Sequence, residues 1–140
     1  MKIVIIDLES SNVHSLVSAL NYLGLKKNVR VVKNLFDIDK ITHLIIPGVG
    51  SFDYAMKKLK NERTDKIIKT LSMSNIKILG ICLGLQLLMK SSEEGKSKGL
   101  GLINASCKKL LFKKRSRSKV PNVGFKELIV KNNNNLYDDI

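Results

Sequence analysis

Cysteine is scarce in this sequence, with Cys82 and Cys107 the only two among 140 residues. Two thiols exclude a disulfide framework, and no cysteine–histidine spacing resembles a zinc site, so no metal and no cofactor are expected. Long apolar runs are missing as well: nothing approaches the ~20 residues that cross a bilayer. The opening Met1-Lys2-Ile3-Val4-Ile5-Ile6-Asp7 lacks the apolar stretch and small-residue cleavage site of a signal peptide. A cytoplasmic chain without membrane contact is the expectation. Acids are few, 12 Asp+Glu against 25 Lys+Arg, giving a net charge of +13. Such a charge could mark a nucleic-acid binder. Aromatics are only 5% of the residues, however, and the basic segment Lys108–Lys119 contains Phe112 alone. A stacking platform for bases is therefore wanting, and attraction of phosphate or an acidic partner fits better than nucleic acid.

The sequence contains instead a regular alternation. Residues 2–7 read as a buried strand, and Val13, Leu16, Val17, Leu20 and Leu23 have helical spacing with Gly24 as their stop. Val29–Val32 and His43–Ile46 read as strands, the second cut off by Pro47-Gly48-Val49-Gly50. Ser51 is placed to cap a helix over 52–59, and a second helical stretch covers 62–73. A strand over 76–81 then runs directly into a helix over 83–90. Strands alternating with helices predict an α/β three-layer sandwich with a mostly parallel sheet, as a single domain over 1–140. Residues 91–101 read as loop, and 105–112 and 124–130 as strands of an antiparallel extension at one sheet edge.

In an open α/β sheet, ligands bind beyond the carboxyl ends of the strands. The sharpest signal there is Gly80-Ile81-Cys82-Leu83-Gly84, a cysteine at a strand-to-helix turn with glycines two before and two after. The glycines let the backbone turn sharply and project the thiol into the crevice. The helix start favours thiolate, and the Leu83 amide points the same way, ready to stabilise an oxyanion. A small buried hydrophobe is the alternative for Cys82. Cys107, inside a strand without a glycine turn, reads as structural. Pro47-Gly48-Val49-Gly50 brings backbone amides to the same edge, although alone it is equally a tight turn. Together the two loops suit acyl transfer. Read by themselves, Gln86 is the polar face of a helix and Glu94 a solvated loop acid.

Four stretches, Pro47–Phe52, Gly80–Leu88, Ser92-Glu93-Glu94-Gly95 and Gly99–Ile103, resemble the class I (triad-type) glutamine amidotransferases. Within them the chain is similar to the family of glutaminase subunits of imidazole glycerol phosphate synthase, in histidine biosynthesis. Lys119-Val120-Pro121-Asn122-Val123-Gly124-Phe125 falls where that family has K-V-P-H-M-G-W. The resemblance implies that Cys82 attacks the side-chain amide of glutamine, forming a glutamyl thioester and releasing ammonia. It assigns the oxyanion hole to Leu83 and the Gly48-Val49-Gly50 loop, with a peptide flip preceding the productive state. It assigns the backbone end of glutamine to Gln86 and Glu94. A barrel-shaped cyclase subunit is the implied partner and recipient of the ammonia. An amidotransferase subunit for a sugar-modifying pathway, or a partner-binding module without catalysis, are the other readings.

Two departures stand out. The family's first turn reads roughly D-Y-G-x-G-N, whereas here Asp7-Leu8-Glu9-Ser10-Ser11-Asn12 replaces both glycines, which predicts a different loop shape. Asn122 and Phe125 stand where the family has His and Trp, in a loop that faces the cyclase. The family's catalytic His and Glu belong to an H-P-E motif beyond residue 140, so a C-terminally truncated subunit, incomplete in its sheet and with little activity alone, is expected. Of the two histidines, His43 opens its strand about 13 Å from the reactive edge at ~3.3 Å per residue. His14 is expected to face solvent.

Overall fold

Four short aliphatic runs become the strands of one parallel sheet in the computed structural model, which describes residues 1–9, 12–36, 38, 40–111, 124, 127 and 129. The strands are β1 (Ile3–Ile6), β2 (Val29–Val32), β3 (His43–Ile46) and β4 (Lys77–Gly80), in the order β2-β1-β3-β4. Each pairs in parallel without a register break, Ile3 opposite His43 and His43 opposite Lys77. Residues Met1–Lys109 form one compact unit and Leu110–Ile140 a second, and all elements named here lie in the first.

Side chains alternate along these strands, so each strand feeds two cores. Ile3, Ile5 and Ile45 point to α1 (Val13–Tyr22), against Val13, Leu16, Val17 and Leu20. Val4, Ile6, Leu44 and Ile46 point the other way, to α2 (Phe52–Asn61), α3 (Thr64–Ser72) and α4 (Leu83–Leu88). Phe52, Leu59, Ile68 and Leu87 are fully buried there, each contributing about 1.5–3 kcal/mol of transfer free energy. Helix, sheet, helix is the three-layer sandwich that the alternation predicts. Ser51 caps α2 as expected from sequence, its Oγ accepting from the Tyr54 amide at 3.3 Å, and Asn12 Oδ1 caps α1 by accepting from the Ser15 amide at 3.3 Å. Arg63, with φ 54°, breaks the helical stretch expected over 62–73, so α3 begins at Thr64.

The end of this unit differs from expectation. Helix α4 stops at Leu88, because Met89 is extended (ψ 175°) and begins β5 (Met89–Ser92). It pairs with β6 (Ile103–Cys107) in a separate two-stranded parallel sheet, not an antiparallel extension of the main one. A glycine segment fixes this pairing: Gly99 donates to the Lys90 carbonyl at 2.9 Å and Gly101 to the Met89 carbonyl at 3.0 Å. A Cβ on Gly99 would lie 2.1 Å from the Met89 oxygen, so only glycine permits the approach. The strand expected over 124–130 lies outside the described residues apart from 124, 127 and 129. Among the described residues no helix is long and apolar enough to cross a membrane.

Candidate functional site

Because all four strands run the same way, the loops after β1, β3 and β4 emerge at one edge of the sheet. The turn after β4 is the most constrained of them. Ile81 donates to the Ile46 carbonyl at 3.0 Å, extending the ladder by one step, and Cys82 then turns to φ 55°, ψ −115° at the start of α4. A non-glycine residue in that region costs about 1–3 kcal/mol and persists only where its surroundings impose it. Two glycines impose it here. A Cβ on Gly84 would lie 1.6 Å from the Ile46 oxygen, and one on Gly80 would lie 2.6 Å from the Leu85 nitrogen. The helix is thus seated directly on strand β3, and the thiol is pushed outward. Cys82 is exposed, which removes the buried-hydrophobe alternative for it. Cys107 is a free, half-buried thiol at the end of β6.

The loop after β3 meets this turn. The Leu83 amide, assigned to the oxyanion hole by resemblance, donates to the Gly48 carbonyl at 3.2 Å. In this arrangement it is not free for a substrate oxygen. Rotating the Gly48–Val49 peptide would release it and turn the Val49 N–H toward the same space. Gly50 has φ 104°, a conformation glycine tolerates, and Val49 is exposed.

One helical turn beyond Cys82, Gln86 joins a ring of hydrogen bonds. Its Nε2 donates to Glu94 Oε2 at 3.1 Å, and its Oε1 accepts from Ser92 Oγ at 2.8 Å. Ser92 Oγ in turn accepts from the Glu94 amide at 3.2 Å. The fold therefore brings Gln86 on α4 and Glu94 in the loop after β5 together, although β5 lies between them in sequence. Ser92 received no role from sequence, despite lying within the quoted Ser92-Glu93-Glu94-Gly95 stretch.

Asp53, also unremarked in sequence, ties that loop to the first turn of α2. Its Oδ1 accepts from the Ser97 amide at 2.7 Å and from the Lys96 amide at 2.9 Å. The Ser97 side chain first, then the backbone amides of Lys96 and Ser97, hold its carboxyl below the usual aspartate range. A depressed folded pKa means the anchor is complete above the ordinary aspartate value of ~3.9 and is lost as pH falls through the lower folded value. Amide chemical shifts of Lys96 and Ser97 are expected to stay constant down to about pH 4 and to move together below it. In Asp53→Asn that acid transition should vanish; its persistence would place the titrating group elsewhere.

The first loop keeps a glycine-like backbone without glycine. Glu9 has φ 63°, and its Oε2 lies 2.8 Å from Lys58 Nζ, which also lies 3.5 Å from Glu62 Oε1. Residue 9 thus adopts the left-handed region that glycine enters freely, while Ser10 and Ser11 lie outside the described residues. Hydrogen bonding and then charge from Lys58 hold the Glu9 carboxyl below its ordinary value. A cleft of about 510 Å³ opens beside this pair, lined by Lys33, Phe36 and Arg63 among others, and Cys82 does not border it.

Neither histidine of the sequence is hydrogen-bonded to Cys82. His43 lies opposite Lys77 while Ile46 lies opposite Gly80, so three residues, about 10 Å of strand, separate it from the carboxyl edge. Its Nδ1 is 2.8 Å from Thr42 Oγ1. His14 is exposed on α1. Asn122, Phe125 and most of the basic segment Lys108–Lys119 lie outside the described residues.

The model of the family described as "Glutamine amidotransferase class-I" matches residues 4–139 of this chain. The chain is 40% identical over 128 residues to "Imidazole glycerol phosphate synthase subunit HisH" of Prochlorococcus marinus, covering 91% of this chain and 58% of the relative. It is 37% identical over 130 residues to the protein of the same name from Listeria monocytogenes, covering 92% of this chain and 61% of the relative. The chain thus spans about three fifths of the length of these relatives. A solved structure described as "Crystal structure of glutamine amidotransferase" matches with a TM-score of 0.64 at 19% identity, over 77% of this chain and 56% of that one. That likeness bears on the fold.

Proposed function

Since the chain belongs to the class I glutamine amidotransferase family, we propose that it acts as the glutaminase part of an imidazole glycerol phosphate synthase in the cytoplasm. The observation that carries this reading is the exposed Cys82 in its strained turn, with the Gln86–Glu94 pair one helical turn away. In the proposed reaction Cys82 Sγ bonds to the side-chain amide carbon of glutamine. The carbon–nitrogen bond then breaks, and the nitrogen takes a proton and leaves as ammonia. Water cleaves the resulting thioester to glutamate. Gln86 and Glu94 hold the amino-acid end of the substrate, Glu94 through its carboxylate on the ammonium group. The Leu83 amide serves as oxyanion donor only after the Gly48–Val49 peptide has rotated away from it.

The partner in this reading is the barrel-shaped cyclase. Val49, Ile81 and Leu85 are exposed apolar side chains around the elbow. A subunit docked over them would exclude water from the thioester and confine the ammonia. The relatives reported above favour this pathway over a sugar-modifying one. A chloroketone analogue of L-glutamine tests the site: its carbon–chlorine bond breaks as Cys82 Sγ bonds to the carbon. Labelling read by mass spectrometry is expected at Cys82 and not Cys107, to saturate with reagent, and to slow in excess L-glutamine. Labelling of both thiols alike, without protection, would overturn the reading.

A further inference from the structure

The ring of hydrogen bonds around Gln86 has a direction. A carboxamide fits its pocket in two orientations, exchanging Oε1 and Nε2, and only one of them presents a donor to Glu94. Serine settles the choice. Ser92 is 4% exposed; its Oγ accepts the Glu94 amide at 3.2 Å, and its single proton then goes to Gln86 Oε1 at 2.8 Å. Gln86 Nε2 is left to donate to Glu94 Oε2 at 3.1 Å. Turning the amide over would set two acceptors, Gln86 Oε1 and Glu94 Oε2, against each other. It would also leave the buried Ser92 proton without an acceptor. Buried polar groups strongly disfavour both faults. The ring starts at the Glu94 amide and closes on the Glu94 carboxylate, so one buried hydroxyl orients both the main chain and the side chain of that residue.

We propose that Ser92 is the positioning residue of the amino-acid pocket: its hydroxyl fixes the orientation of Gln86 and thereby the carboxylate of Glu94 that receives the substrate's α-ammonium group. The inference rests on the glutaminase reading above. Ser92 itself touches no reacting atom. It sits at the end of β5, a strand packed on α4, so the pocket is carried by paired backbone and not by the loop alone.

Side-chain amide signals and thiol labelling on the whole chain test this. In the unaltered protein, the two Gln86 side-chain N–H signals should be well separated and slow to exchange. Free-amide positions and rapid exchange would overturn the ring before any variant is made. In Ser92→Ala, labelling of Cys82 by the chloroketone analogue of L-glutamine should fall about tenfold, the worth of one or two hydrogen bonds. Labelling by iodoacetamide, which needs no amino-acid pocket, should keep its rate. Ser92→Thr retains the hydroxyl and should keep most of the analogue's rate. If the unaltered chain prefers the analogue over chloroacetone and Ser92→Ala keeps that preference undiminished, Ser92 has no positioning role. If the unaltered chain shows no such preference, the glutamine pocket is refuted, and this inference with it.

Discussion

Gly84→Ala is expected to destabilise the protein more than any other single methyl group added to the described elements. The added carbon would lie 1.6 Å from the Ile46 carbonyl oxygen and 2.7 Å from its carbon. Neither atom belongs to a side chain that can rotate away. Relief requires moving α4 off β3, which opens the core around Leu83, Leu87 and Leu88. Overpacking against backbone costs at least about 3 kcal/mol, the upper end for an inserted group. That is a large part of the roughly 5–15 kcal/mol that holds an ordinary domain together. Gly24→Ala is the comparison. Gly24 has φ 77° but nothing within 4 Å of the added carbon, so only conformational strain of about 1–2 kcal/mol applies. Urea unfolding followed by circular dichroism should rank the two in that order. Equal midpoints would mean that α4 is not seated on β3 as described.

The second large effect concerns turnover. Neither His14 nor His43 is hydrogen-bonded to Cys82, so ammonia release from glutamine by this chain should be about 10²–10⁴ below that of an enzyme with a positioned acid and base. The thiol can still be alkylated, because that step needs only its sulfur. Expelling ammonia is different: the nitrogen must be protonated as it leaves, and neither described histidine is hydrogen-bonded to the thiol to assist. Adding the cyclase should not restore the rate. Free imidazole, which can diffuse to an exposed thiol, should raise it in proportion to its concentration, and Cys82→Ala should abolish that gain. Ammonia release near an ordinary enzymatic rate of roughly 10 s⁻¹ without imidazole, lost in Cys82→Ala, would contradict the geometry of His14 and His43.

The parts legible in sequence are those where one residue type has few options. Ile3–Ile6 and Leu44–Ile46 are β-branched or aliphatic on both faces, as a strand covered by helices requires. Gly80 and Gly84 flank a cysteine at a spacing that two close approaches explain, Gly84 to the Ile46 carbonyl and Gly80 to the backbone of Gly84 and Leu85. The less legible parts depend on pairing between weakly biased segments. Met89-Lys90-Ser91-Ser92 has little strand propensity of its own and becomes β5 through β6 and the Gly99–Gly101 segment. Glu9 adopts a conformation that its residue type disfavours, so no sequence rule would place it there. The direction of the Gly48 carbonyl has no signature at all, since a peptide can rotate without a change of residue. Ser92 illustrates the same limit: a buried serine announces that it has partners, but not which ones.

The anchoring of the Pro47–Gly50 loop carries one more consequence. Upstream it is clamped by Ile46, whose carbonyl is held by Ile81, and downstream by Ser51, which caps α2. Asp53, two residues further on, binds the loop that follows Glu94. Between fixed ends, a peptide can turn only as a crankshaft, with ψ of Gly48 and φ of Val49 changing in opposite senses while the flanks stay still. In the proposed reaction, one peptide unit is then latch enough: its rotation would release the Leu83 amide from the Gly48 carbonyl while helix, strand and the Gln86–Glu94 pair stay in place.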